Sequence, residues 1–234
     1  KSSRETLEID LFKPPGWKEP DIAGLIANCN TAAVDKPTGI IVLEGPDGTG
    51  KTTLGEKLAK EYNGHYMHLT WSKEINERMS SYVLDNLYEA IQRSKNQLVI
   101  IDRLHISEVV YAEVFRTGST LGGQFVSAVT EKLDEVGATT VFCVSDSLRE
   151  YVKRYEKLLT EREEMYTSVP GMKYVASLFA VISKGKDVAW SDNHTPYNLV
   201  TKKNIQYDYT QYDFAFTEGC FLDLLMDLHT GQDK

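Results

Sequence analysis

The chain has 234 residues, which suits one globular domain with an appendage and is too short for two ordinary domains. Hydrophobic residues make up 41% of the chain and charged residues 26%, a balance that predicts a buried core and excludes disordered and fibrous proteins. The formal net charge of -8 argues against broad attraction to a polyanion.

Cysteine usage and hydropathy indicate a compartment. The three cysteines, Cys29, Cys143 and Cys220, form no CxxC pair, and their odd number fits a reducing environment better than a disulfide framework or a zinc site. No apolar run approaches the ~18 residues that cross a bilayer, so we expect no membrane partner. The sequence therefore predicts a cytoplasmic protein.

The first 38 residues differ from the rest of the chain in composition and in hydrophobic periodicity. Residues 1–38 carry four of the seven prolines and one short helix candidate at 21–30, and we interpret them as an N-terminal arm. Residues 39–234 are predicted to form one domain. Within it, a charged helical region at about 147–185 is predicted to form a lid.

The domain reads as alternating strands and helices. Segments that are apolar on both faces predict the buried strands of a parallel sheet, at 39–43, 97–101 and 139–144. Weaker strand candidates lie at 199–200 and 205–209. Amphipathic spacing predicts a helix after the first strand, where Leu54, Leu58, Ala59 and Tyr62 share one face, and further helices at 74–93, 125–136, 147–164, 172–182 and 221–228. This alternation predicts a doubly wound parallel α/β sheet with ligands at the carboxyl ends of its strands.

A glycine-rich motif stands between the first predicted strand and the helix after it. The pattern G-x-x-x-x-G-K-[ST] is matched in full by Gly45, Pro46, Asp47, Gly48, Thr49, Gly50, Lys51 and Thr52. Such a loop turns its backbone N–H groups and the positive end of the following helix towards phosphate oxygens. Lys51 is expected to bridge the β- and γ-phosphates, Thr52 to hold Mg²⁺ and Thr53 to contact the α-phosphate. The motif predicts a site for ATP with Mg²⁺.

Two charged residues follow the strand at 97–101. Asp102 would stand at the carboxyl edge of the sheet beside the loop, where a carboxylate can hold the water shell of the metal or cap the next helix. Arg103 could grip a transferred or accepting phosphate with its planar fork, or form a plain salt bridge. His105 could contact substrate, whereas His65 and His68 are more often an exposed or core pair than a metal site.

At this point the sequence resembles the thymidylate kinase family. The resemblance rests on residues 44–53, EGPDGTGKTT, and residues 102–107, DRLHIS. The continuation SEVVY at 107–111 and the YDY at 207–209 are similar to a branch of the family common in bacterial viruses. The likeness spans roughly residues 39–230.

The resemblance implies a P-loop NTPase fold and transfer of the γ-phosphoryl group of ATP, with Mg²⁺, to a deoxynucleotide. It implies that Asp47 contacts the sugar 3′-hydroxyl and Arg103 the acceptor phosphate, and that Ser107 and Tyr111 line the nucleotide pocket. The family also places an arginine on a lid and an aromatic side chain against the base. Candidates for the lid are Arg149, Lys153, Arg154 and Arg162, with Arg154 taken as the catalytic one, and those for the base are Trp71, Arg78 and Tyr82 at spacings that differ from the family pattern.

Several functions stay open on the sequence alone. The first is a kinase for a deoxynucleoside monophosphate, thymidylate or a modified thymidylate, and a homodimer is compatible with it. The alternative is a viral kinase, in the host cytoplasm, that phosphorylates 5-hydroxymethyluracil within DNA. A deoxynucleoside kinase and a non-catalytic nucleotide switch rank below these two. Glu44 would be the general base for a hydroxyl acceptor, whereas a monophosphate needs none.

Overall fold

The structure is a computed structural model, and it describes residues 37–116, 118–145, 147–161, 168–186, 188, 190 and 198–208. The predicted helices at 21–30 and 221–228, and all but the last two residues of the predicted arm, lie outside the described residues. None of the described helices combines the length and the apolar character that crossing a membrane requires.

Strands and helices alternate along the described chain. The strands are β1 (Gly39–Glu44), β2 (His65–His68), β3 (Leu98–Asp102), β4 (Thr139–Val144) and β5 (Lys203–Asp208). The helices are α1 (Lys51–Tyr62), α2 (Lys73–Asn76), α3 (Met79–Ser94), α4 (His105–Phe115), α5 (Gly123–Glu135), α6 (Leu148–Glu161) and α7 (Val169–Ile182).

The five strands form one sheet in the order β2-β3-β1-β4-β5, and every pair is parallel. β1 lies at the centre, directly between β3 and β4, and Leu43 is in register with Asp102. The predicted doubly wound parallel sheet is therefore confirmed. Because all strands run the same way, their carboxyl ends meet at one edge, which carries Glu44, His68 and Asp102.

Side chains that alternate along the strands build a separate core on each face of the sheet. In β1, Ile40 and Val42 belong to the larger core, which also contains buried residues of α3, α4, α5, α6 and α7. Ile41 and Leu43 belong to the smaller core, where they pack with Leu54 and Leu58 of α1. Burial on both faces explains why the central strands read as continuous apolar runs.

Two segments differ from the sequence prediction by more than a few residues at an end. The single helix predicted at 74–93 is two helices, because Arg78, with φ -128° and ψ 30°, departs from helical geometry between the end of α2 at Asn76 and the start of α3 at Met79. Ser72 caps the start of the short α2 by accepting a hydrogen bond from the Ile75 amide. The strand predicted at 199–200 is irregular, and β5 starts at Lys203. The Thr201 hydroxyl bonds Thr140 Oγ1 and the Lys203 carbonyl, so the chain turns towards β4 only there.

Candidate functional site

The loop at 45–50 leaves β1 and leads into α1 at the centre of the carboxyl edge. Gly45 has φ 149°, and a Cβ atom there would lie 2.2 Å from the Cys143 carbonyl oxygen in β4. Glycine alone fits this conformation and this approach. The Thr49 hydroxyl donates to the Pro46 carbonyl at 2.8 Å and holds the loop in a closed curve.

Lys51 lies inside this curve. Its Nζ donates to the Pro46 carbonyl at 2.7 Å and to Thr49 Oγ1 at 3.4 Å, and the side chain is 4% exposed. Burial lowers the pKa of Lys51 to about 8, and the charge of Arg103 adds to that effect. The lysine therefore presents a weakly solvated cation where the motif predicts phosphate oxygens.

Helix α6 covers the outside of the loop. The Tyr151 hydroxyl donates to the Asp47 carbonyl at 3.0 Å. Leu158 lies so near Gly48 that a Cβ atom on that glycine would be 2.6 Å from its Cδ1. The first residues of the predicted lid thus form a brace on the loop. Arg154 is exposed on the same helix, and Arg162 lies outside the described residues.

Asp102, the last residue of β3, lies beside the start of α1, as its predicted place at the carboxyl edge of the sheet implies. Its Oδ2 accepts a hydrogen bond from the Thr52 hydroxyl at 2.9 Å, while its Oδ1 is buried and has no partner among the described residues. Burial by itself would raise the pKa of Asp102, but Lys51 and the Tyr66 hydroxyl lower it below its usual value. The carboxylate is therefore ionised at neutral pH.

This pair of side chains fits a hard divalent cation. Carboxylate and hydroxyl oxygens are the ligands that Mg²⁺ takes, and Mg²⁺ commonly binds one or two carboxylates and completes its shell with water and phosphate oxygens. Within the described residues, no three His, Cys, Asp or Glu side chains converge on a metal site. A cation held by Thr52 and Asp102 would therefore rely on the phosphates of a nucleotide for its other ligands.

Arg103 reaches the loop from the turn between β3 and α4. Its guanidinium forms an ion pair with the Asp47 carboxylate and lies 5.0 Å from the centre of the Tyr111 ring. The Tyr111 hydroxyl accepts a hydrogen bond from the Asp47 amide at 2.9 Å. The structure thus brings together Asp47, Arg103 and Tyr111, three residues predicted to bind substrate.

Ser107, the fourth residue of that prediction, faces the interior. Its hydroxyl and its amide both donate to Glu44 Oε2, and the Leu104 amide donates to Oε1 at 3.0 Å. Glu44 is fully buried, and burial raises its pKa to about 7 although these hydrogen bonds lower it. His105 is buried as well and bonds Thr130 Oγ1 at 2.9 Å. The contacts with Glu44 fasten the first turn of α4 to β1, and the His105 contact joins the same turn to α5.

Sequence reasoning missed two residues that touch Asp102. Tyr66 and His68 of β2 both bond Asp102 Oδ2, and no local motif marks them, because only the pairing of β2 with β3 brings them there. His65 contacts Glu89 of α3 at 3.8 Å. Because residues 65 and 68 point to opposite faces of the strand, the two histidines do not form a pair.

An exposed tryptophan lies beyond the end of β2. Trp71 is 53% exposed, and the Arg116 guanidinium lies 5.0 Å from the centre of its ring. Asn76 Oδ1 accepts hydrogen bonds from both side chains. The Arg116 guanidinium also donates to Glu108 Oε2 at 2.8 Å. Trp71 is a predicted base contact, and the cation beside its ring is Arg116, which directly follows α4.

A family model and a curated protein each match part of this chain. The model of the ATPase family associated with various cellular activities (AAA) matches residues 41–154, slightly less than half of the chain. A proteasome-activating nucleotidase of Saccharolobus islandicus is 28% identical over 106 residues, which is 44% of this chain and 24% of that protein. This chain thus spans about a quarter of the length of that curated relative.

Solved structures resemble the fold over a longer stretch. The YorR protein of Bacillus subtilis, solved with phosphorylated GDP, has a TM-score of 0.59 at 21% identity and covers 82% of this chain and 98% of its own. The deoxyadenosine kinase of M. mycoides with bound dATP has a TM-score of 0.51 at 14% identity, covering 80% and 98%. Together with the family match, these likenesses establish a P-loop NTPase fold. The thymidylate kinase resemblance stays a prediction.

The buried Glu44 carboxylate makes folding depend on pH. The unfolded chain releases this proton near pH 4.5 and the folded chain near pH 7, so the free energy of unfolding should fall by about 3 kcal/mol as the pH rises through that window. Glu44→Gln should remove this fall. Urea denaturation at pH 5 and pH 8 measures it, with Glu135→Gln, an exposed carboxylate on α5, as the control. An equal pH dependence in wild type and Glu44→Gln would contradict the assignment.

Proposed function

We propose that the protein is an ATP-dependent phosphotransferase whose acceptor is a deoxynucleoside monophosphate, thymidylate or a modified thymidylate. The observation that carries the proposal is the position of Arg103. Its guanidinium lies against Asp47 of the phosphate loop, at the same sheet edge as Lys51 and Asp102. A cation in that place suits an acceptor phosphate facing the γ-phosphate of ATP.

The chemistry of arginine supports a phosphate acceptor. A guanidinium offers five N–H donors in a rigid fork that matches two phosphate oxygens at once. Tyr111 supports the group from one side, and the side chain is 19% exposed, so it is shielded from water without being sealed off. When the acceptor binds, the Asp47 carboxylate would give up part of its ion pair with Arg103, so that some of the guanidinium N–H groups can bind the acceptor phosphate. Asp47 would then turn towards the sugar hydroxyl.

The position of Glu44 also favours a monophosphate. A hydroxyl acceptor, in a nucleoside or in hydroxymethyluracil DNA, benefits from a base within hydrogen-bond reach. Glu44 is fully buried, and both of its oxygens accept hydrogen bonds from α4 and the turn before it. A carboxylate engaged in this way suits a structural role. A monophosphate is already an anion and needs no base.

The roles of the other residues follow from phosphoryl transfer. The loop amides and Lys51 would hold the β- and γ-phosphates and stabilise the charge that develops on them. Thr52 and Asp102 would hold Mg²⁺, which when bound neutralises phosphate charge. Arg154 is the proposed lid arginine. Trp71, fixed by Arg116 and Asn76, offers a flat exposed ring on which a base can stack.

Nucleotide hydrolysis is the second candidate, because the matched family consists of ATPases. A hydrolase must orient a water molecule at the γ-phosphate. The carboxylate that ends β1, Glu44, has both oxygens engaged inside the protein, so it is a poor candidate for that task. The engaged Glu44 carboxylate therefore favours an acceptor other than water.

One assay separates these functions. The protein is incubated with ATP labelled in its γ-phosphate and, in parallel, with deoxynucleoside monophosphates, deoxynucleosides, hydroxymethyluracil DNA or no acceptor. We expect label on a monophosphate, and Lys51→Ala should lower that rate by at least roughly 100-fold, since one preorganised charge is lost. Release of phosphate without any acceptor would favour the hydrolase. Labelling of the DNA alone would identify the viral DNA kinase.

The fork of Arg103 gives a second prediction. Arg103→Lys keeps the charge but loses the paired hydrogen bonds, so kcat/KM for the monophosphate should fall roughly 10- to 100-fold while the KM for ATP changes little. Arg93→Lys on α3, which alters an exposed ion pair with Glu89, is the matched control and should leave both constants unchanged. An equal loss in the two variants would remove Arg103 from the acceptor site.

A further inference from the structure

Strand β2 supplies two side chains to Asp102, the residue that would face the metal. The Tyr66 hydroxyl donates to Asp102 Oδ2 at 2.7 Å, and His68 Nδ1 lies 3.1 Å from the same oxygen. Together with Thr52 of α1, three groups from two elements converge on one carboxylate oxygen. The other oxygen, Oδ1, is buried without a partner among the described residues.

The sheet dictates this convergence. β2 and β3 are parallel, with His68 in register with Asp102 and Tyr66 in register with Ile100. Because side chains two residues apart on a strand share a face, Tyr66 and His68 stand on the same side as Asp102. Their rings are stacked with centres 6.4 Å apart.

Helix α1 keeps a place open for the Tyr66 ring. A Cβ atom on Gly55 would lie 2.5 Å from Cε2 of Tyr66, and Gly55 is in the interior of the helix. Glycine there costs about 1 kcal/mol relative to alanine. The close approach of Tyr66 explains why this position is a glycine, and it fixes the hydroxyl beside Asp102.

The three hydrogen bonds to Oδ2 leave Oδ1 as the oxygen of Asp102 that can bind a ligand. A carboxylate oxygen that already accepts three donors has little capacity for another. The Oδ1 atom is buried and has no hydrogen-bond partner among the described residues. Removing a polar atom from water without a new partner costs free energy unless a ligand contacts that atom. A cation or its water shell is a ligand of the right charge.

We propose that Tyr66 and His68 are positioning residues that hold Asp102 by its Oδ2, so that Oδ1 is the oxygen that meets the divalent cation bound with the nucleotide. This inference rests on the proposed function only in taking Asp102 as a metal-facing residue. It does not depend on the acceptor. Side chains that orient a metal ligand typically contribute 10- to 100-fold to metal affinity or activity.

Manganese binding tests the proposal without any turnover. Mn²⁺ is titrated into the full-length protein with a non-hydrolysable ATP analogue, and free Mn²⁺ is measured by electron paramagnetic resonance. Tyr66→Phe keeps the ring against Gly55 and removes only the hydroxyl, so it should raise the Mn²⁺ dissociation constant roughly 10- to 100-fold. Affinity for the analogue in EDTA should stay unchanged. His68→Ala should act in the same direction, and His65→Ala, on the opposite face of β2, should have no effect.

A double-mutant cycle separates positioning from general loss of structure. Asp102→Asn alone should weaken Mn²⁺ binding, and adding Tyr66→Phe to it should cause no further loss. An equal loss in both backgrounds, or unchanged Mn²⁺ binding in both Tyr66→Phe and His68→Ala, would overturn the inference. Unchanged Mn²⁺ binding in Asp102→Asn would instead overturn the metal role in the proposed function. If thermal unfolding shows that Tyr66→Phe does not fold, His68→Ala, whose ring is 42% exposed, decides the question.

Discussion

The position of the Arg103 side chain depends on one attachment, that of the turn after β3 to the central strand. The Arg103 amide donates to the Leu43 carbonyl at 2.9 Å, and the Glu44 carboxylate receives the amides of Leu104 and Ser107. Between these bonds Arg103 has φ 73°, a left-handed conformation that is uncommon outside glycine. The attachment on both sides holds the strained residue and directs its guanidinium to Asp47.

The same edge concentrates opposite charges in a space that water reaches poorly. Lys51 and Arg103 lie among Asp47, Asp102 and Glu44, and three of these five side chains are less than 5% exposed. In such surroundings a fixed charge acts strongly on a ligand and needs no rearrangement during the reaction. Phosphoryl transfer requires mainly positioning and charge stabilisation, so this environment suits it.

Similarity in sequence and fold does not by itself define the activity of this protein. AAA ATPases, a nucleotidase and a deoxyadenosine kinase share parts of this sequence or fold, and one fold supports many activities. What separates these activities is the set of groups beside the loop. Here Arg103 is presented, Glu44 is enclosed, and α6 braces the loop through Tyr151 and Leu158. The residues around the phosphate-binding loop, more than the loop itself, therefore support the proposal of a kinase.

The sequence alone determined the central strands, the loop at 45–52 and the place of Asp102, because buried parallel strands and a phosphate-binding loop leave strong local patterns. It also indicated Asp47, Arg103 and Tyr111 through the family resemblance. Only the tertiary structure decided that Ser107 faces Glu44, that Trp71 pairs with Arg116, and that Tyr66 and His68 hold Asp102. Each of these contacts joins residues more than 30 positions apart. Their partners are set by strand order and register, which depend on the packing of the whole sheet and leave no mark in any local stretch of sequence.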